Sequence, residues 1–145
     1  MKSLSLIVAQ AVLSTAAFAS AGPADCVWQV NEQMQAECAS GLALKVPLNT
    51  TNGALKILGW ARAPKGKNLW MLHYADLDVG TKTLYDIHRA AIIDVQSGKV
   101  LGDAVEKYVA QKGSPVIGSP KWKWTDKSLE VTDPSYDSDL KIQLP

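Results

Sequence analysis

The stretch AAIIDVQSGKVLGDA, residues 90–104, decides the fold class of this 145-residue chain. It contains an apolar run, the turn-forming residues Gln96-Ser97-Gly98-Lys99, and a second apolar run. Two apolar runs joined by a short turn that contains glycine are the pattern of a β-hairpin. The sequence therefore predicts antiparallel strands near the middle of the chain.

Further strands are predicted on both sides of this hairpin. Apolar runs bounded by turn residues occupy 54–60, 69–74 and 84–95. Runs that alternate apolar and polar residues occupy 121–125, 128–132 and 140–144. Alternation of this kind is typical of antiparallel strands with one wet face. We therefore expect a mainly β protein with two small antiparallel sheets, arranged like propeller blades or as a sandwich.

The segment GDAVEKYVAQKG, residues 102–113, also fits a short helix. Asp103 is a suitable N-cap residue, and Glu106 follows three residues later, as in a capping box. Apolar residues recur there at helical spacing. We expect a short helix near 104–112, with an edge strand as the alternative.

Residues 1–19 have the features of a secretory signal peptide. A basic residue precedes an apolar stretch, and small residues occupy the two positions that a signal peptidase inspects before Ser20. Cleavage before Gly22 is the alternative. The apolar stretch is shorter than the roughly 20 residues that a membrane span needs. We therefore expect a periplasmic or secreted protein without a stable membrane anchor, in which residues 20–145 form a single β-rich domain.

The charge and the aromatic content limit the classes of partner. Loss of the leader removes one basic residue, Lys2, and no acidic residue, which leaves equal numbers of each. A balanced charge disfavours binding to nucleic acid or to anionic lipid. Five Trp and four Tyr accompany a single Phe. Trp and Tyr favour strands and half-buried contact surfaces.

The only two cysteines, Cys26 and Cys38, are predicted to form a disulfide. An even number of cysteines in an exported chain indicates a structural bridge. A reactive or metal-binding thiol pair is the alternative, but the two histidines of the chain, His73 and His88, lie far along the sequence. We expect no metal site and no cofactor.

The sequence contains no complete catalytic set. Asp86 and His88 are two residues apart in a predicted strand, so they share a side and could orient an imidazole for base catalysis. A solvated ion pair explains the same spacing. His73 lies in an apolar run, where we expect a partly buried structural histidine. We predict no catalytic residue, and we retain a small periplasmic hydrolase only as a second alternative.

Two groups of acidic residues could supply oxygen ligands for Ca²⁺. Asp76 and Asp78 form one group, and the segment 133–139 contains the other. Neither has the spacing of an EF-hand loop. Asp-Pro and Asp-Ser pairs are common in turns, which is the interpretation we adopt.

The segment GSPVIGSP, residues 113–120, is the candidate partner-binding loop. Proline and glycine exclude it from a regular strand. Val116 and Ile117 lie at its apolar tip, with Ser114 and Ser119 on either side. The alternative is that this loop merely connects two sheets.

A second candidate surface is formed by Trp122 and Trp124, which lie on one face of a predicted strand. Two such rings could stack against sugars in a carbohydrate- or envelope-binding module. They could equally cover the hydrophobic core.

Two stretches with a Trp, a turn and a Leu, at 60–71 and 124–131, flank the central hairpin. This order resembles the blades of β-propellers, although a closed propeller needs at least four blades of about 40 residues. The order is also similar to that of exported immunity proteins that neutralise type VI secretion peptidoglycan amidases, over roughly residues 55–132. The resemblance implies a small binding protein that inhibits a cell-wall-degrading enzyme by occluding its active site, with a peptidoglycan hydrolase as partner.

Overall fold

The computed structural model describes residues 26–30, 34–39, 41, 43–46, 54–78 and 84–145. The predicted leader and both candidate cleavage sites lie outside these ranges. Ten strands are present, in the order β1 (Cys26–Val30), β2 (Met34–Cys38), β3 (Ala43–Val46), β4 (Ala54–Arg62), β5 (Leu69–Leu77), β6 (Tyr85–Asp94), β7 (Lys99–Ala110), β8 (Lys121–Trp124), β9 (Ser128–Asp133) and β10 (Ser138–Gln143). The described ranges contain no helix, and thus none with the length and apolar character needed to cross a membrane.

The strands form three antiparallel sheets in which sequence neighbours pair with each other. We name them the N-terminal sheet (β1–β3), the central sheet (β4–β7) and the C-terminal sheet (β8–β10). The prediction of a mainly β fold with small antiparallel sheets is confirmed, but there are three sheets where we expected two. The additional sheet arises because the segment between Cys26 and Cys38 is a hairpin, β1–β2, in which the two cysteines are direct cross-strand partners. They form the predicted disulfide.

The central hairpin forms where the sequence predicts it, between β6 and β7. The Gly98 N–H donates to the carbonyl of Asp94 at 2.8 Å, and Gly98 adopts a φ of 71°. The carboxylate of Asp94 also accepts hydrogen bonds from the backbone N–H of Gln96 and from the hydroxyl of Ser97, both at 3.0 Å. Glycine tolerates this left-handed conformation without steric cost, which is why the turn occurs here.

The central sheet lies between the other two sheets. Met71 and Leu72 are adjacent in β5 and are both buried, and successive side chains of a strand point to opposite faces. Leu72 belongs to a hydrophobic cluster that includes Leu44 of the N-terminal sheet. Met71 belongs to a second cluster that includes Leu129 of the C-terminal sheet. The two faces of the central sheet are thus covered by different sheets, which explains the nearly continuous apolar sequence of β5 and β6.

Close packing between the central and C-terminal sheets depends on Gly102 in β7. A Cβ atom at this position would lie 2.6 Å from Cδ1 of Ile142, a buried residue of β10. Any larger residue would force the side chain of Ile142, or the strand that carries it, to shift.

The prediction of a helix near 104–112 is wrong, because most of this segment belongs to β7. Two bulges, at Leu101 and Glu106, shift its register against β6. Each bulge adds a residue and so interrupts the period of two, which leaves apolar residues at a spacing that imitates a helix. Asp103 and Glu106, the expected capping residues, instead bind side chains of neighbouring strands.

A polar network joins the three neighbouring strands β5, β6 and β7 of the central sheet. The Oδ1 atom of Asp103 accepts a hydrogen bond from Nε of Arg89 at 2.7 Å, and its Oδ2 atom accepts one from the hydroxyl of Tyr74. Burial raises the pKa of the Asp103 carboxyl, whereas Arg89 and the two hydrogen bonds act in the opposite direction. Burial likewise raises the pKa of Tyr74, which keeps its hydroxyl protonated as a donor. Each partner thus satisfies a polar group that would be costly to bury alone.

We expect the disulfide to account for a large part of the stability. Because Cys26 and Cys38 are separated by 12 positions, the change of both to serine should lower the free energy of unfolding by about 3 kcal/mol. Urea unfolding followed by Trp fluorescence, with and without a reducing agent, measures this difference. The double serine variant is the control and should not respond to the reducing agent. A wild-type midpoint that does not move on reduction would contradict the prediction.

We expect Tyr74→Phe to lower the free energy of unfolding by about 1.5–3 kcal/mol, because it leaves the Asp103 carboxylate without one of its donors. Urea unfolding is again the measurement. Tyr136→Phe, at an exposed tyrosine, is the matched control and should change stability by less than about 0.5 kcal/mol. Equal effects of the two changes would show that the network contributes nothing specific.

Candidate functional site

The loop predicted to bind a partner, residues 113–120, connects β7 to β8 and is held at two points. The hydroxyl of Tyr85 donates to the carbonyl of Pro115 at 2.8 Å. The hydroxyl of Ser135 donates to the carbonyl of Gly118, also at 2.8 Å. These bonds come from β6 and from the β9–β10 turn, so both sides of the loop tip are fastened to the body of the protein.

The residues between the two anchors differ in exposure. Val116 is 89 % exposed, the most exposed large hydrophobic residue of the described chain, whereas Ile117 is half-buried. Ser114 is half-buried and its backbone N–H donates to the carbonyl of Gln111. Ser119 is exposed and the following Pro120 is buried. Of the four predicted contact residues, Val116 and Ser119 therefore face solvent most fully.

A row of three tyrosine rings lies beside this loop. The rings of Tyr85 and Tyr108 meet edge to face with centroids 6.4 Å apart, and those of Tyr108 and Tyr136 are 5.3 Å apart. Tyr136 is 59 % exposed. We name the combination of loop 113–120 with these three tyrosines the tip surface. It joins an apolar tip to aromatic side chains that are common in protein interfaces.

The middle of the tyrosine row is fixed by Asp133. Its Oδ2 atom accepts a hydrogen bond from the hydroxyl of Tyr108, and its Oδ1 atom accepts one from the backbone N–H of Ser135 at 3.0 Å. Burial is the main cause of the raised pKa of Tyr108, and the bond to Asp133 adds to it. The carboxylate thus orders both a ring of the row and the turn that carries the Ser135 anchor.

The loop could be predicted from the sequence, whereas the row of tyrosines could not. Tyr85, Tyr108 and Tyr136 are widely separated in the chain, and only the pairing of β6 with β7 and the fold of the C-terminal sheet bring them together. The available signal was Tyr136 in the turn sequence Pro134-Ser135-Tyr136-Asp137, because a large aromatic residue in a turn has little opportunity for burial.

The two candidate stacking residues, Trp122 and Trp124, lie on one face of β8 with ring centroids 6.2 Å apart. Both are half-buried against the cluster between the central and C-terminal sheets. The indole Nε1 of Trp122 donates to the carbonyl of Val105 at 2.8 Å. This bond satisfies a backbone group of β7, an edge strand of the central sheet. Both indoles thus cover part of this cluster and remain partly exposed.

The carboxylate of Asp86 binds backbone and amide groups rather than His88. Its Oδ1 atom accepts a hydrogen bond from the backbone N–H of Asp78 at 2.8 Å and a longer one, 3.3 Å, from Nε2 of Gln111. The Oδ2 atom of Asp78 in turn accepts one from the N–H of Leu84 at 2.7 Å. Asp86 and Asp78 therefore support the backbone around the start of β6.

The other acidic residues also act in local structure. The Oδ1 atom of Asp133 caps the turn that follows β9, and Asp137 adopts a φ of 48° within that turn. Within the described residues, no group of three or more His, Cys, Asp or Glu side chains is arranged to hold a metal ion.

Known proteins show no significant similarity to this chain. The chain has no significant match to a protein-family model, to a curated protein or to a solved structure.

We expect the two anchors to keep the loop rigid. The double change Tyr85→Phe and Ser135→Ala removes both hydrogen bonds and should raise the amide hydrogen-exchange rates of residues 114–119, because local opening then breaks fewer contacts. The matched control is Tyr136→Phe, which keeps both anchors. Unchanged exchange in the double variant would show that the prolines alone order the loop.

Proposed function

We propose that this protein is an exported binding protein that inhibits a cell-wall-degrading enzyme by placing the tip surface in its active-site groove. The observation that carries the proposal is Val116, an almost fully exposed apolar side chain on a loop anchored at both sides. An exposed apolar side chain raises the free energy of the protein in water, which a binding partner would relieve. A loop anchored at both sides is suited to insertion into a cleft.

The anchors favour tight binding because they lower its entropic cost. A flexible loop loses conformational freedom when it binds, and this loss reduces the affinity. Here the carbonyls of Pro115 and Gly118 are already bound, and the prolines restrict φ. Insertion of Val116 would therefore immobilise few groups that are not ordered beforehand.

The tyrosine row supports a protein as the partner. Tyr136 is exposed and packs on Tyr108, so its ring is held in place while it remains available for contact. Tyrosine side chains are enriched among the residues that carry most of the energy of protein interfaces. An enzyme groove that accepts Val116 would bring its rim against this ring.

The proposal of a periplasmic or secreted location is supported by the disulfide between Cys26 and Cys38 and by the leader-like residues 1–19. Disulfides persist in oxidising compartments such as the bacterial periplasm. Peptidoglycan hydrolases act in that compartment. The resemblance to immunity proteins against peptidoglycan amidases makes such an enzyme the first partner to test.

The test is inhibition of peptidoglycan hydrolases that digest purified sacculi, with an amidase, an endopeptidase and a muramidase assayed in parallel. We expect the protein to slow at least one of them in a manner that saturates at equimolar amounts. The variant Val116→Asp should weaken this inhibition by roughly 10- to 100-fold, because it places a charge where an apolar contact is lost.

The matched control is Val27→Asp, at a residue of β1 that is 71 % exposed but lies in the N-terminal sheet. It should inhibit like the wild type. The proposal is wrong if all three enzyme classes digest sacculi at full rate in the presence of excess protein, or if Val116→Asp inhibits as well as the control.

A further inference from the structure

A second surface, independent of the tip surface, contains both histidines of the chain. It is an open depression of about 470 Å³ in the central sheet, lined by residues of β4 to β7. The lining consists of Leu58, Gly59, Trp60, His73, His88, Glu106 and Lys107. His73 and His88 follow the alternation of Met71 and Ile92, so they point to the face that the C-terminal sheet covers further along the strands.

Small residues beside the histidines create the depression. His73 is paired across the sheet with Gly59 on one side and Ala90 on the other. His88 is paired with Ala75, which is likewise small. Directly opposed residues of antiparallel strands share a face, so His73 has a position with at most a methyl group on both sides and His88 has one on the β5 side. Space for a ligand remains next to both rings.

Bulges in both edge strands shape the two ends of the depression. In β4 the extra residue is Leu58, which is exposed, and the following Gly59 has a φ of 149° that other residues rarely adopt. In β7 the extra residue is Glu106. Bulges redirect side chains and are common next to functional sites. Here they place an apolar side chain at one end and a carboxylate at the other.

The carboxylate at the second end is already paired. The Oε2 atom of Glu106 lies 2.8 Å from Nδ1 of His73. This nitrogen therefore carries the proton, and Nε2 is the second nitrogen of the ring. Because His73 engages Glu106, the negative charge of this residue is partly compensated before any ligand arrives.

The cross-strand row that contains His88 also contains two lysines. His88 is the direct cross-strand partner of Lys107, and Ala75 connects it in the same row to Lys56 of β4. Burial lowers the pKa of His88, and the positive charge of Lys107 lowers it further, against weaker opposing effects of Asp86 and Glu106. A ring held neutral beside a lysine gains a proton readily when a negative ligand balances the added charge.

We propose that this depression binds a small ligand with an oxyanion, a phosphate or a carboxylate, attached to an apolar group. Lys107 and the imidazole of His88 supply N–H donors for such an oxyanion. Leu58, which is exposed, supplies an apolar contact for the rest of the molecule. A volume of about 470 Å³ matches the range of small-molecule sites.

Binding to this site depends on pH in a defined direction. The charged and titratable groups around His88 are Lys107 and Glu106 from β7, Lys56 from β4, Asp86 from its own strand, and His73 from β5. Protonation of His88 adds positive charge beside the oxyanion. Because the pKa of His88 is lowered, affinity for phenylacetate, whose carboxylate stays ionised, should rise mainly toward the acidic end as the pH falls from about 8 to about 5.5.

The experiment is titration of the full protein with phenyl phosphate, phenylacetate and inorganic phosphate, followed by NMR of the imidazole Cε1–H signals. We expect saturable shifts of both histidines with phenyl phosphate or phenylacetate, and the stronger ligand identifies the oxyanion. Inorganic phosphate should bind more weakly than phenyl phosphate. Equal affinity of these two would overturn the proposed apolar contact with Leu58.

Two lysine variants make the test specific. Lys107→Gln should weaken binding by about tenfold or more, because it removes a charge-assisted donor. Lys127→Gln, at an exposed lysine of the β8–β9 turn, is the matched control and should bind like the wild type. The proposal is overturned if no probe shifts the histidine signals saturably, if both lysine variants behave alike, or if affinity for phenylacetate falls with decreasing pH. Because Val116 takes no part in this site, Val116→Asp should bind the probes unchanged, which separates this result from the test of inhibition.

Discussion

The structure depends on the need to cover both faces of the central sheet. In β5 and β6 adjacent residues such as Met71 and Leu72 are both buried, so a single additional layer would leave half of the apolar surface in water. The N-terminal sheet meets this need on one face and the C-terminal sheet on the other. The N-terminal sheet consists of three short strands, and the bridge between Cys26 and Cys38 stabilises this layer, which has little core of its own.

Both proposed binding surfaces lie where the regular pairing of the central sheet ends or is interrupted. The tip surface begins after β7, where proline and glycine exclude further strand, and hydrogen bonds from Tyr85 and Ser135 hold the loop in place. The histidine-lined depression lies between the bulges at Leu58 and Glu106. The bulges also make the two edge strands irregular, which disfavours pairing with other chains. The bulges thus protect the sheet against pairing with other chains, and they also leave polar side chains of the depression exposed.

Much of the fold could be predicted from local patterns, and the errors have identifiable causes. The hairpin at 90–104, most strands and the disulfide follow from turn residues, apolar runs and cysteine number. The segment 104–112 was misread as a helix because Asp103 and Glu106 match a capping box, whereas their partners Arg89 and His73 lie on other strands. For the candidate site, the apolar loop could be recognised from its composition, but its anchors Tyr85 and Ser135 could not.

Turn positions and strand periodicity could be predicted from the sequence because they depend on the φ/ψ preferences and polarity of neighbouring residues. The cysteine pair could be predicted from the number of cysteines. The assembly of three layers, the meeting of three distant tyrosines and the pairing of His73 with Glu106 were decided only in the tertiary structure. Cross-strand register determines which residues face each other, and the two bulges in β7 change that register without a clear local signature. Contacts of this kind arise from the burial of whole sheet faces, and no single segment of the sequence determines them.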